Sequence, residues 1–155
     1  MIPQTLAAVA SLGALASLAP LLLADPATTR PAAQSVLTVD VADLRNARGV
    51  LRVGVFTKAE GFPSDPRGAI LWSSIPAGAE ARSVAIELPA GEYAVLVLHD
   101  ENSNRRLDTN FLGVPREGYG VTNNPKPRMR SATFKEARFT LPADGARMTV
   151  SLQYF

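Results

Sequence analysis

Side chains able to do chemistry crowd one stretch of this sequence, His99 to Asn124, HDENSNRRLDTNFLGVPREGYGVTNN. It holds the chain's only histidine, and Asp100, Asn102, Asn104, Asp108 and Asn110 follow within a few positions. Counted from Asp100, the spacing D-x-N-x-N-x-x-x-D puts oxygen donors at the first, third, fifth and ninth places of a calcium loop of the EF-hand kind. Hard cations such as calcium take roughly six to eight oxygens, which closely spaced Asp and Asn side chains in a tight loop can supply. The candidate metal set is Asp100, Asn102, Asn104, the backbone carbonyl of Arg106, and Asp108, with Glu101, Asn110 or Glu117 available to complete it. The match is partial: Arg105 stands where such a loop uses glycine for a left-handed turn, and Phe111 where it uses glutamate. Only two carboxylates fall at ligand places, so a bound calcium would be weak. The competing expectation is a loop without metal, in which Asx side chains bond their own backbone.

His99 could act as a general base, because an imidazole titrates near neutrality. A hydrolase or transferase would pair it with Asp100 or Asp108 and draw a nucleophile from Ser103, Thr109, Tyr119 or Thr122. None of these sits in a nucleophile motif such as G-x-S-x-G. A lone histidine ending a strand is more often structural, so catalysis is the alternative reading. Further on, Gly118 and Gly120 flank Tyr119, and Asn123 and Asn124 follow. Tyr119, Asn110, Asn123 and Asn124 are the candidate contacts to a sugar or peptide; equally, the tyrosine could simply close the end of the fold. Arg105, Arg106, Arg116, Lys126, Arg128 and Arg130 offer a weaker option, binding of an anionic polymer.

The elements that must position this loop are strands. Ser35 to Val41, Val50 to Thr57, Ala69 to Ser73, Ser83 to Leu88, Tyr93 to Leu98, Ala137 to Leu141 and Arg147 to Tyr154 read as strands between Gly- and Pro-rich turns. The first two, joined by the turn Asn46 to Gly49, are expected to form a hairpin. The near-continuous apolar run Tyr93 to Leu98 predicts a central strand covered on both faces, with His99 and Asp100 leaving it in opposite directions. Only Ser131 to Glu136 offers a helical turn. The expected fold is all-β: a single immunoglobulin-like, Greek-key β-sandwich of about seven strands spanning residues 35–155.

The chain's 155 residues leave room for one such domain. Sixteen Lys and Arg against fourteen Asp and Glu give a net charge of +2, too small and too dispersed to point to nucleic acid. The absence of cysteine excludes disulfides, thiolate metal sites, cysteine nucleophiles and lipidation through a thiol. Residues 1–24 are apolar and uncharged and read as a signal peptide or an uncleaved membrane anchor, and residues 25–34 as a linker. A periplasmic or secreted protein follows, in contact with a membrane only if that segment is retained.

Four motifs, GFP at Gly61 to Pro63, PAGEYAV at Pro89 to Val95, HDEN at His99 to Asn102 and LDTNFLGVPREGYGVTNN at Leu107 to Asn124, give the chain a resemblance. It resembles the bacterial domain-of-unknown-function family 2141, over roughly Val36 to Tyr154. The resemblance implies a small exported β protein and brings no activity with it. Relatives of that kind favour glycine where Ser103 and Arg105 stand, a departure from regular metal-loop geometry. The expected function is that of a non-enzymatic binding or structural module of the cell envelope, with calcium as its one candidate cofactor and an envelope protein or glycan as its partner.

Overall fold

The computed structural model describes residues 34–78, 82–126 and 130–155. The expected signal or anchor and most of the linker lie outside them. Eight strands make up the described chain: β1 (Gln34–Ala42), β2 (Val50–Phe56), β3 (Leu71–Pro76), β4 (Ser83–Pro89), β5 (Gly91–Asp100), β6 (Gly118–Val121), β7 (Phe139–Leu141) and β8 (Ala146–Ser151). One helical turn, α1 (Phe134–Ala137), is closed by a capping box between Thr133 and Glu136. The fold is all-β in two sheets, and no helix among the described residues is long and apolar enough to cross a membrane.

One sheet has the order β4-β1-β8, the other β3-β2-β5-β6, and β7 pairs with β5 beyond the end of β6. The expected hairpin of the first two strands does not form: β1 pairs with β4 and β8, while β2 pairs with β3 and β5. The reason lies in their apolar faces. Leu37, Val39 and Val41 of β1 and Leu51, Val53 and Val55 of β2 meet in one buried cluster, so the strands belong to different sheets. Asp43 and Gly49, both at positive φ, shape the segment that carries the chain between them.

Strands β1 and β4 alternate between buried and more exposed residues, the pattern of a sheet with one face on the core. Strand β5 is different. Tyr93, Val95 and Val97 belong to the cluster shared with the other sheet, while Ala94, Leu96 and Leu98 belong to a second cluster with Phe56, Val121, Ala132 and Ala137. The central strand is therefore covered on both faces, as its composition predicts. Its outer cover is made of loops and α1, with Phe56, Phe62, Trp72 and Phe134 meeting edge to face. Thr122 ties this cover down: its hydroxyl accepts from Val95 N (3.1 Å) and donates to Ala137 O (2.6 Å).

Candidate functional site

The loop between β5 and β6 is the long connection of the fold, and two buried carboxylates brace it. Asp100, at the end of β5, accepts from Asn104 N (3.0 Å) and Arg105 N (2.7 Å). Glu117, just before β6, accepts from Glu101 N (2.9 Å) and Asp108 N (3.1 Å). Asp108 is the third carboxylate of the group and accepts the side-chain amides of Asn102 (2.7 Å) and Asn104 (2.9 Å). The amide oxygens of those asparagines accept from Asn104 N and Arg106 N. Asp100, Asn102, Asn104 and Asp108 thus form one network, in which backbone and amide N–H groups face the carboxylates. Among the described residues no three His, Cys, Asp or Glu side chains gather as ligands, so a cation here would draw on amide and backbone oxygens.

Ser103 and Arg105 adopt φ of 59° and 66°. The loop keeps the left-handed turns that glycine would make easily, at the cost a side chain incurs there. Arg105 is further held through its carbonyl, which accepts from Arg52 Nη1 (2.6 Å).

His99 lies on the opposite face of β5 from Asp100 and is fully buried. Its Nε2 is 2.8 Å from Arg48 O and its Nδ1 2.9 Å from the Tyr154 hydroxyl. A carbonyl oxygen only accepts, so Nε2 donates to Arg48 O, and in the neutral ring Nδ1 accepts from the Tyr154 hydroxyl. Neither Asp100 nor Asp108 bonds to His99; the carboxylate that approaches it is that of Glu101, at 3.9 Å. Both ring nitrogens are spent on the scaffold, and the structure does not bring together the set His99, Asp100 and Asp108.

Glu101 joins the loop to the β1–β2 connection. Its carboxylate accepts from Arg45 Nε (2.7 Å) and Asn46 Nδ2 (3.0 Å), and Arg45 also lies over the Tyr154 ring and donates to Arg116 O. Burial acts to raise the Glu101 pKa, but the hydrogen bonds from Asn46 and Arg45 and the charge of Arg45 outweigh it, leaving the pKa below the ordinary 4.5. A carboxyl depressed on folding adds stability above its unfolded pKa and loses it as pH falls through the folded value. The thermal midpoint is therefore expected to drop below about pH 5, and Glu101→Gln to make that drop shallower, in melts taken from pH 7 to 3.

The remaining sequence candidates divide. Asn110 accepts from Leu112 N (2.9 Å) and Val114 N (3.0 Å), shaping a turn that presents Phe111 and Leu112 to solvent. Asn123 donates to Glu136 O and Arg138 O; Asn124 donates to Thr149 O and accepts from Ser151 N. These three amides bond the chain's own backbone. The glycines around Tyr119 serve a close approach within the molecule: a Cβ on Gly118 would meet the Tyr154 ring at 2.3 Å, and one on Gly120 would meet Ser151 O at 2.4 Å. Tyr119 itself points to the outer face of the sheet, stacks on Phe155 with ring centres 5.8 Å apart, and lines a cavity. Burial raises its pKa, so it offers no phenolate at neutral pH.

Sequence reasoning missed that cavity. It measures about 840 Å³ and lies over Leu96, Leu98 and Val121, between Trp72, Tyr119 and the long loop. Its lining comes from segments far apart in the chain, so no local pattern announced it. Arg52 could not be assigned to it either, since its place over the Trp72 ring (4.7 Å) depends on the pairing of β2 with β3.

Fold and site together define an all-β domain with a loop built over the outer face of its larger sheet. The chain belongs to the family described as "Uncharacterized protein conserved in bacteria (DUF2141)", whose model matches residues 39–150. No curated protein matches the chain, and no solved structure does.

Proposed function

We propose that the protein is an exported, non-enzymatic module of the cell envelope, periplasmic or secreted, with an immunoglobulin-like Greek-key sandwich and an envelope protein or glycan as its partner. The return of β4 to the side of β1, while β2 and β3 pair in the other sheet, supports the Greek-key reading. The observation that carries the non-enzymatic reading is the burial of His99 with both nitrogens engaged. A hydrolase or transferase based on His99 with Asp100 or Asp108 has that geometry against it.

The loop from Asp100 to Asp108 acts as a brace that a divalent cation, calcium by its oxygen chemistry, tightens. In support, Asp100, Asp108 and Glu117 share one loop, and among the described residues none is ion-paired. Rotating the Asn102 and Asn104 amides by half a turn would point their oxygens toward Asp108, and the cation would have to offset the bonds those oxygens now accept from Asn104 N and Arg106 N. Melting the purified domain tests this. Millimolar calcium is expected to raise the midpoint over that in chelator, and Asp108→Asn to remove the difference. Equal midpoints for the parent protein would end the cation reading and leave the loop ordered by its Asx turns alone. Cell fractionation and the mass of the exported chain test the location.

A further inference from the structure

The cavity on the outer face combines two properties that select one kind of ligand. Its apolar lining is formed by the exposed Leu112, Val114 and Phe155 and by the Trp72 and Tyr119 rings, above a base of buried Leu96, Leu98 and Val121. Four arginines, Arg52, Arg105, Arg106 and Arg130, are among its lining residues, and no described lining residue is acidic. Arg130 is neutralised by a two-point pair with Glu136 (2.7 and 2.9 Å). Among the described residues, none of the other three is ion-paired. Arg52 lies over Trp72 and donates to Arg105 O, which leaves it fixed and charged beside the apolar lining.

We propose that this cavity binds an amphiphilic anion, a single apolar chain ending in a carboxylate or a phosphate. The chain would lie along Leu112, Val114 and Phe155 and against the Trp72 and Tyr119 rings. The head would meet Arg52, Arg105 and Arg106, whose planar forks match either oxyanion. The volume is within the range of small-molecule sites, and apolar lining with a few placed polar groups is their usual composition. A sugar would leave the apolar lining unused, and inorganic phosphate alone would leave it wet. This site is separate from the Asp100–Asp108 brace, and it stands or falls independently of calcium.

The sole tryptophan of the chain is Trp72, so its emission reports directly on the cavity. Titrations are made on the purified protein in chelator, which prevents calcium soaps, and below the concentrations at which each amphiphile forms micelles. Dodecanoate and dodecyl phosphate are expected to shift the emission saturably, and the tighter of the two identifies the preferred head. Inorganic phosphate and dodecyl maltoside are expected to leave it unchanged. The double variant Arg105→Gly, Arg106→Ser is expected to bind dodecanoate at least tenfold more weakly. It should fold at least as well, because both side chains are exposed and position 105 is left-handed; its melting midpoint verifies this. No saturable response to either anion, equal binding of dodecyl maltoside, or unchanged affinity in the folded double variant would each overturn the proposal.

Discussion

Replacing His99 with alanine is expected to lower the stability of the domain by about 3–5 kcal/mol, read from denaturant unfolding. Two effects add. The imidazole is fully buried, so its removal leaves a hole that the surrounding strands cannot close without breaking the β2–β5 pairing. It also removes the hydrogen bonds to Arg48 O and the Tyr154 hydroxyl, each a part-buried bond of about 0.5–1.5 kcal/mol. Tyr154→Phe removes only one of those bonds and should cost about 1–2 kcal/mol. The contrast with catalysis is direct, because substituting a catalytic side chain often leaves stability unchanged or improves it. A His99→Ala domain as stable as its parent would contradict the structural role given to this residue.

Gly49→Ala is expected to be comparably damaging, by about 3–5 kcal/mol. Its φ of 68° already disfavours a side chain, and an added Cβ would sit 2.0 Å from Asp100 O and 2.7 Å from the Glu101 backbone. Those atoms end β5 and begin the loop, and the carbonyl of Gly49 accepts from Ala77 N (3.0 Å), so neither side can give way cheaply. Gly113 provides the control. It has a φ of 76° with nothing within 4 Å of a Cβ, so Gly113→Ala carries only the backbone cost of about 1–2 kcal/mol. The difference between the two variants measures the collision. Equal losses would mean that the turn at Gly49 relaxes to admit the methyl group.

Much of the scaffold was legible in the residues. Alternation of apolar side chains located β1, β2 and β4 to within a residue or two, and the unbroken run in β5 predicted burial on both faces and the opposite directions of His99 and Asp100. What failed was pairing. Periodicity says which face of β1 and β2 is apolar, but not whether those faces lie side by side or meet across the core. Strand β6 escaped notice because Gly118 and Gly120 carry no hydrophobic signal; they are there because Tyr154 and Ser151 press against them. The oxygen-rich loop was located correctly as a stretch, yet the bonding of Asn110, Asn123 and Asn124 depends on turns and strands distant in sequence. The cavity was invisible for the same reason, its arginines being gathered from strand β2, the loop and the segment before α1.

Strand β1 pairs in parallel with β8, Leu37 lying opposite Ala146, and its other edge is closed by β4. A nascent chain can bring β4 to β1 early, but the other side of β1 stays open until residues beyond Ala146 have left the ribosome. Joining such distant segments places the domain among the slow, non-local folders. The consequence is temporal: during synthesis the smaller sheet stays incomplete until its last strand arrives.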